Sequence, residues 1–275
     1  MITSAILATR MVGALPASSG ESGFEPPSID DFFPAPFALQ GTPFELNRVM
    51  MVRLIMACAL VLVFVIGAAR ARVVPGRFQN ALEMILGFVR KNVAEEILGP
   101  DFGRRYAPVL TTIFLGVLFL NISGVIPGLQ IASTGVVGMP LVFAIVSYIV
   151  FFYAGVRTNG VGRYIKGSLA PTGVPGFLYP LIIPIEFLSN LIMRPVTLTI
   201  RLLANMVSGH FLLALCYAAT SALFLHAAGV LKGLGAVTFG VALAFVLFEV
   251  FVAALQAYIF ALLTAVYIES SINTH

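Results

Sequence analysis

The chain has 275 residues, of which 59% are hydrophobic and 10% are charged, with a formal net charge of +4 and a mean hydropathy of +1.01. A typical soluble domain has about 25% charged residues, and a soluble fold of this size could not bury so much apolar surface. The composition therefore excludes an ordinary soluble domain and predicts a membrane protein.

The chain begins with a segment that is predicted to lie outside the membrane. Residues 1–48 lack a long apolar run, and the part from Phe24 to Glu45 is rich in proline, phenylalanine and acidic residues. We expect residues 1–48 to form an N-terminal extracytoplasmic segment.

Two helices of different kinds are predicted next. Residues 49–69 form an apolar run of the length that spans a bilayer, for which roughly 20 residues are needed. Over residues 77–98, apolar residues recur at steps of three and four while charges occupy the other positions, which is typical of an amphipathic helix in the membrane interface. The apolar positions are Phe78, Leu82, Ile85, Leu86, Val89, Val93 and Ile97.

The longest stretch without charge runs from Tyr106 to Val156 and contains 51 residues. It is long enough for two spans, predicted over 107–127 and 138–156, with a turn at the proline and glycine residues between them. Membrane barrels show short alternating segments, whereas these apolar runs are continuous, so helices are expected. Residues 49–156 thus hold three spans and the interfacial helix.

Residues 157–176 form a basic linker that is predicted to be cytoplasmic, and residues 177–275 contain two unusually long apolar segments. The first, from Ile185 to about Ala227, would be about 65 Å long as a helix, whereas the hydrocarbon core is about 30 Å thick. We expect it to tilt steeply or to break at Pro195 or Gly209. The second, over 233–268, is similarly long, so the pair predicts a long helical hairpin. The predicted fold class is all-α integral membrane, with five to six membrane helices.

The basic residues indicate the orientation. Ten Lys and Arg residues fall on one side of the predicted spans and three on the other, which makes the richer side cytoplasmic, the N-terminus external and the C-terminus cytoplasmic. Because topology accounts for these residues, the positive net charge does not indicate a nucleic-acid partner. The ten are Arg70, Arg72, Arg77, Arg90, Lys91, Arg104, Arg105, Arg157, Arg163 and Lys166, and the three are Arg10, Arg48 and Lys232.

Polar residues form one stripe along the first long segment. An arginine at the bilayer centre costs about 2.5–3.5 kcal/mol on insertion scales. For Arg194 the sequence leaves three roles open: snorkelling, contact between helices and function. The deeper position of Arg201 indicates a functional site. Since a guanidinium stays protonated in proteins, Arg201 would act as a gate and not as a proton carrier. At 100° per residue the stripe comprises Asn190, Arg194, Thr197, Arg201, Asn205 and Ser208.

The second long segment carries Glu249 and Gln256, which are seven residues apart and share a helix face. Glu249 is the lone acid of its apolar run, and burial favours the neutral form of a carboxyl. His210 is half a turn out of phase with Arg201, so two separated polar sites are predicted. One comprises Arg201, Asn205 and Gln256. The other pairs His210 with Glu249 as a proton path, with a hydrogen-bonded core imidazole as the alternative for His210.

These residues carry a family resemblance. The motif Arg201-Leu202-Leu203-Ala204-Asn205-Met206, followed by Gly209-His210, resembles the core motif of subunit a of F-type ATP synthases. Glu249 and the motif Leu255-Gln256-Ala257-Tyr258-Ile259-Phe260 resemble the last-helix motif of that family. The order and number of the segments match from the first span to the C-terminus.

The resemblance implies a non-catalytic stator subunit of the membrane sector, with two half-channels that couple proton flow to rotation of a c ring. It implies that Arg201 separates the half-channels, with Asn205 and Gln256 beside it. It also implies that His210 and Glu249 form the polar pair of the outer half-channel, and that Glu186 is the acid of the inner one. The implied partners are the c ring, the b-subunit stalk, the other ATP synthase subunits and membrane lipid, and neither a cofactor nor a metal is expected.

Two other classes of function remain as alternatives. A secondary transporter predicts an inverted repeat with a second polar stripe, and a voltage-sensing ion channel predicts several regularly spaced arginines; the sequence has neither pattern. A bacterial plasma membrane is the expected location, with the mitochondrial inner membrane as the alternative.

Overall fold

A computed structural model describes residues 47–126, 137–169, 179–226 and 231–273. Most of the predicted N-terminal segment, the turn at 127–136, the linker residues 170–178 and the hairpin turn at 227–230 lie outside the described residues. The described part forms the following helices: α1 (Arg48–Ala69), α2 (Arg77–Val89), a first π-helical segment (Arg90–Glu95), α3 (Glu96–Ile122), α4 (Gly138–Asn159), α5 (Val161–Leu169), α6 (Tyr179–Phe187), a second π-helical segment (Leu188–Met193), α7 (Arg194–His226) and α8 (Leu231–Ile272).

Five helical stretches of the described chain are long and apolar enough to cross a membrane. They are α1, the composite stretch from Arg77 to Ile122, α4, and the greater part of α7 and of α8. The predicted all-α membrane fold is therefore confirmed. The first and third predicted spans agree with α1 and α4 to within a few residues, because an uninterrupted apolar run leaves little freedom in where a spanning helix begins and ends.

The predicted interfacial helix ends where the sequence indicates, at a break in the composite stretch. Gly99 has φ 76° and ψ 171°, a conformation that side chains with a Cβ rarely adopt. Across the break the chain folds back on itself, and a Cβ at Gly103 would lie only 2.7 Å from the Cα of Glu95. The Glu95 carboxylate pairs with Arg90 at 2.9 Å and lies 3.7 Å from Arg104. The approach of Gly103 and Arg104 to Glu95 joins the two sides of the turn.

The apolar face of this amphipathic helix packs against protein over its second half. Val89, Val93 and Ala94 are fully buried in the main core, whereas Phe78 and Met84 near the start are exposed. The periodicity was sufficient to predict the face, but not which part of it packs on other helices.

The first long segment is continuous from Arg194 to His226, and neither Pro195 nor Gly209 breaks it. Of the two alternatives, tilt or break, the break at these residues is therefore wrong. Just before Pro195 the chain forms the π-helical segment Leu188–Met193, in which the Arg194 N–H donates to the carbonyl of Ser189. A proline ring clashes with the carbonyl four residues earlier in a regular α-helix, and the wider π turn just before Pro195 makes room for it. The 33 residues of α7 correspond to about 50 Å of helix.

The core is organised around α8, which packs against α3, α4 and α7. Its fully buried residues include Phe260 and Ile268, and they meet Leu110 and Ile113 of α3. At the end of α8, the side-chain amide of Asn159 donates to the carbonyls of Ser271 and Ile272 at 3.1 and 3.0 Å. These bonds satisfy carbonyls that a helix end leaves without partners. Part of the linker is helical (α5), which the sequence did not predict.

The break at Gly99 gives a test of backbone strain. No atom outside the immediate backbone lies within 4 Å of a Cβ built at Gly99 or at Gly87 in α2, so neither substitution by alanine creates a clash. Gly99→Ala must place a side chain at φ 76° and should destabilise the protein by about 1–3 kcal/mol. Gly87→Ala lies within a regular helix and should stabilise it by up to about 1 kcal/mol.

The measurement is the thermal unfolding midpoint of the full chain purified in detergent. Opposite shifts for the two variants are expected. Equal midpoints would show that the turn does not need the left-handed conformation.

Candidate functional site

The orientation of α7 is set by an apolar seam. Leu198, Leu202, Met206 and Leu213 recur at helical spacing and are all nearly or fully buried. The polar residues Thr197, Arg201 and Asn205 each precede a seam residue by one position, so they lie about 100° around the helix from it. All three are exposed along one edge of α7.

Two members of the predicted stripe satisfy their hydroxyls within their own helix. Thr197 Oγ1 donates to the carbonyls of Met193 and Arg194 at 2.8 and 3.1 Å, and Ser208 Oγ donates to those of Ala204 and Asn205 at 2.7 and 3.2 Å. Such bonds let a hydroxyl face an apolar medium without an external partner. Asn190 lies in the second π-helical segment, and its side chain is outside the described part.

Arg194 is held by aromatic rings. Its guanidinium carbon lies 4.8 Å from the ring centroid of Tyr267 in α8 and 5.8 Å from that of Phe151 in α4. Cation–π contacts of this kind stabilise by about 0.5–2 kcal/mol. Of the roles that the sequence left open for Arg194, contact between helices is the one that the geometry supports.

Arg201 is in a different environment. It is exposed on α7 beside Ile200, which is 56% exposed. The described residues offer its guanidinium neither a hydrogen bond nor an ion pair. A permanent charge therefore points away from this chain, on a surface that is otherwise largely apolar.

One turn further along α7, Asn205 connects the exposed edge to the interior of the hairpin. Its side-chain amide donates to Gln256 Oε1 of α8 at 2.8 Å. Gln256 is only 3% exposed, and its Nε2 has no hydrogen-bond partner among the described residues. The α7–α8 contact therefore contains a polar bridge with one unused donor.

Glu249 is a buried acid, with 7% of its surface exposed. Neither of its carboxyl oxygens has a hydrogen-bond partner within the described chain. Its Oε1 packs against Gly209 of α7, where an added Cβ would lie 2.9 Å away. Burying polar groups without partners is costly, so such a cluster points to function more than to stability.

Glu249 and Gln256 line one small cavity with Asn205 and with Asn121 of α3. The space measures about 10 Å³, which is about what one water molecule needs. The sequence predicted that Glu249 lies with His210, apart from Asn205 and Gln256. That prediction is wrong, because Glu249 shares the cavity with Asn205 and Gln256. The cause is the crossing of α7 and α8, which helical phase within one segment does not reveal.

The fourth polar residue of the cavity, Asn121, was not predicted from the sequence. It is 3% exposed and lies near the end of the span α3. A lone amide in an otherwise apolar span was the available signal, because polar side chains within membrane helices tend to face the protein interior.

His210 and Glu186 lie outside this cavity. His210 is half-buried on α7 next to Gly209, and it makes no direct hydrogen bond to Glu249, whose oxygens have no such partner in the described chain. Glu186 is half-buried in α6, just before the second π-helical segment. The structure therefore brings together Asn205, Gln256 and Glu249, and leaves Glu186 apart.

Comparison with known proteins identifies the family. Residues 49–269 match the family model described as ATP synthase A chain. The chain belongs to this family. It is 47% identical over 250 residues to ATP synthase subunit a of Rhodococcus erythropolis, covering 91% of both chains. It is 36% identical to that of Pseudarthrobacter chlorophenolicus, covering 94% of this chain and 97% of the relative, and 31% identical to that of Streptomyces lividans, covering 92% and 89%.

Membership of the ATP synthase subunit a family accounts for the composition and the fold. The chain is an integral protein of the bacterial plasma membrane that takes part in proton transport and ATP synthesis together with the other subunits of the F-type enzyme. No catalytic role is indicated for this subunit within the complex. The family places the buried polar cluster and the exposed arginine in a protein that conducts protons.

The contact between Gly209 and Glu249 gives a test of the cluster. Gly209→Ala places a methyl group against Oε1, and because the carboxyl is the end of a flexible side chain, it should move while the helices stay packed. Displacement of a reacting group by about 1 Å can cost up to 10²-fold in rate, so ATP-driven proton pumping by the assembled enzyme in inverted vesicles should fall by about tenfold.

Gly240→Ala is the matched control. It adds the same methyl group to α8 where no atom lies within 4 Å, and it should leave pumping unchanged. Equal pumping in the two variants would show that the position of Glu249 does not limit proton transfer.

Proposed function

We propose that this chain is the proton-translocating stator subunit of its ATP synthase, with two half-channels whose separation depends on Arg201. In this proposal, protons reach a carboxyl of a rotating c ring through the outer half-channel and leave through the inner one. The ring faces the edge of α7 that carries Arg201 and Asn205.

The observation that carries the proposal is the environment of Arg201. A guanidinium at bilayer depth is costly unless a partner compensates it, and the described part of this chain supplies none. The matching charge must then come from outside the chain. An acidic group on a neighbouring membrane subunit fits this need, because an opposite charge at close range favours the ionised form of a carboxylate.

The chemistry of arginine explains the gate. A guanidinium has five N–H donors, no acceptor, and a proton that it does not release in proteins, so it cannot pass protons from one half-channel to the other. Its fixed charge repels a proton that moves directly between them. A proton must instead travel on the ring, and each one that crosses 100 mV supplies about 2.3 kcal/mol.

The cavity beside Arg201 suits the outer half-channel. Glu249 can bind and release a proton, and Gln256 and Asn205 connect it by polar groups to the exposed edge of α7. The unused oxygens of Glu249 and the unused Nε2 of Gln256 are groups that water can bridge. We extend this half-channel to Asn121 and His210, and assign Glu186 to the inner half-channel.

The remaining parts of the proposal concern partners and orientation. The c ring is placed against α7 and α8, and the b-subunit stalk against other helices of the chain. The excess of basic residues on one side supports an external N-terminus and a cytoplasmic C-terminus.

Arg201→Ala tests the gate. The side chain contacts no described partner, so the complex should assemble normally, while proton-driven ATP synthesis in reconstituted vesicles should be lost. Passive proton leak through the complex is measured in the same vesicles. Synthesis at the normal rate would overturn the gate role.

Arg194→Met is the matched control on the same helix. It removes a guanidinium that is held by Phe151 and Tyr267, so the thermal midpoint of the complex should fall, by the equivalent of about 0.5–2 kcal/mol. The complex that remains folded should still couple proton flow to synthesis. Loss of coupling in both variants without loss of stability would contradict the distinction between the two arginines.

Glu249→Gln tests the outer half-channel. The substitution preserves volume and polarity but cannot exchange a proton at neutral pH, so ATP synthesis and ATP-driven pumping should both fall by about 10²-fold or more, in the range given for general acid–base groups. Glu249→Asp keeps the carboxyl and should retain more activity. Equal activity of the two variants would mean that Glu249 serves packing alone.

A further inference from the structure

A groove lies where the end of α1 meets the start of α2, remote from the polar cavity. It measures about 820 Å³, a size typical of ligand pockets. The residues of α1 that are buried, Val49, Val52 and Met56, all lie in its first turns. Beyond Met56, Leu60 and Phe64 are partly buried against the core, and near the end of the helix the missing side chain of Gly67 leaves room for Leu82 of α2.

The two ends of the groove differ in chemistry. One wall is apolar and includes Leu62, Ile66 and Phe78, while the other carries the side chains of Arg70 and Arg72. Both arginines are exposed, and among the described residues neither guanidinium has an ion pair or a hydrogen bond. By contrast, Arg90 is paired with Glu95.

The loop that carries these arginines is held in place by Gln79. The Gln79 side chain accepts from the backbone N–H of Arg72 and donates to its carbonyl, both at 3.0 Å. It also donates to the carboxylate of Glu83 at 2.7 Å. Glu83 is thus engaged by Gln79, and the reciprocal bonds fix the backbone from which Arg72 projects.

The same loop exposes apolar side chains next to the charges. Val73 and Val74 follow Arg72 and are 102% and 82% exposed. Exposed valine side chains between arginines are unfavourable in water, but they are favourable in a membrane at the boundary between headgroups and acyl chains. The helix α2 also begins here, and its N-cap residue Gly76 has no side chain to cap the first N–H groups, which favour an anion.

We propose that this groove binds an anionic phospholipid. The phosphate is held by Arg70 and Arg72, and an acyl chain lies along Leu62 and Ile66. Basic pockets beside membrane helices recognise anionic headgroups in this way. The combination of one charged end and one apolar wall favours a lipid over a peptide partner, because an anionic phospholipid joins a single phosphate to a long apolar chain.

The first experiment compares lipid binding by the intact ATP synthase and by a complex with Arg70→Gln and Arg72→Gln. Native mass spectrometry in detergent follows a titration with phosphatidylglycerol, phosphatidylcholine or inorganic phosphate. At about 1 kcal/mol per arginine, removal of both should weaken phosphatidylglycerol binding by roughly 30-fold.

The control complex carries Arg105→Gln and Arg163→Gln, which remove two exposed arginines elsewhere, and it should bind as the unchanged enzyme does. Phosphatidylcholine and phosphate alone should each bind more weakly than phosphatidylglycerol. Equal binding of phosphatidylglycerol to all three complexes would overturn the proposal. Binding of phosphate alone with the same affinity would also overturn it, because the apolar wall would then contribute nothing.

The second experiment identifies the occupant in membranes. A photoreactive amino acid is placed at Val74 in the assembled enzyme, in vesicles that contain phosphatidylglycerol and phosphatidylcholine. A crosslink to phosphatidylglycerol above its share of the lipid supports the proposal, whereas a crosslink to another protein subunit overturns it.

Discussion

A guanidinium at the depth of the hydrocarbon core must keep its proton and must find compensation. The two arginines of α7 differ in how their charge is compensated. Arg194 is compensated within the chain by the rings of Phe151 and Tyr267, whereas Arg201 has no partner in the described chain and faces outward. The buried seam on the adjacent face of α7 keeps Arg201 in that direction. In the function that we propose, this arrangement leaves the charge of Arg201 available to an acidic group on a neighbouring subunit.

The polar cavity also contains groups that lack partners within the described chain, in this case hydrogen-bonding atoms. Glu249 and Gln256 are nearly buried and retain unused hydrogen-bonding atoms, at a cost in stability that apolar residues of similar volume would avoid. Gly209 supplies the space that the Glu249 carboxyl occupies. The hydrogen bond from Asn205 to Gln256 then links this interior to the edge where Arg201 lies. Glu249 and Arg201, to which we assign proton exchange and gating, thus lie on neighbouring parts of one helical hairpin.

The rest of the fold supports that hairpin from one side. The helices α3 and α4 pack against α8, and Asn159 fixes its last turn. The outer helix α1 is attached less completely and leaves the groove at Arg70 and Arg72. Local backbone features place these helices: the left-handed residue Gly99 reverses the chain, and the π-helical segment before Pro195 keeps the long segment continuous.

The sequence by itself determined the spans, the family and the motif residues. The length of an apolar run is set by the thickness of the bilayer, so α1 and α4 could be predicted almost to the residue, and the motifs around Arg201 and Gln256 are local. The tertiary structure decided which side chains meet. Asn121 joins the cavity, Glu249 shares it with Gln256, and Arg194 is held by rings from two other helices. Periodicity gives the face of a helix but neither its neighbour nor its crossing angle, because those depend on packing between segments that are distant in the chain.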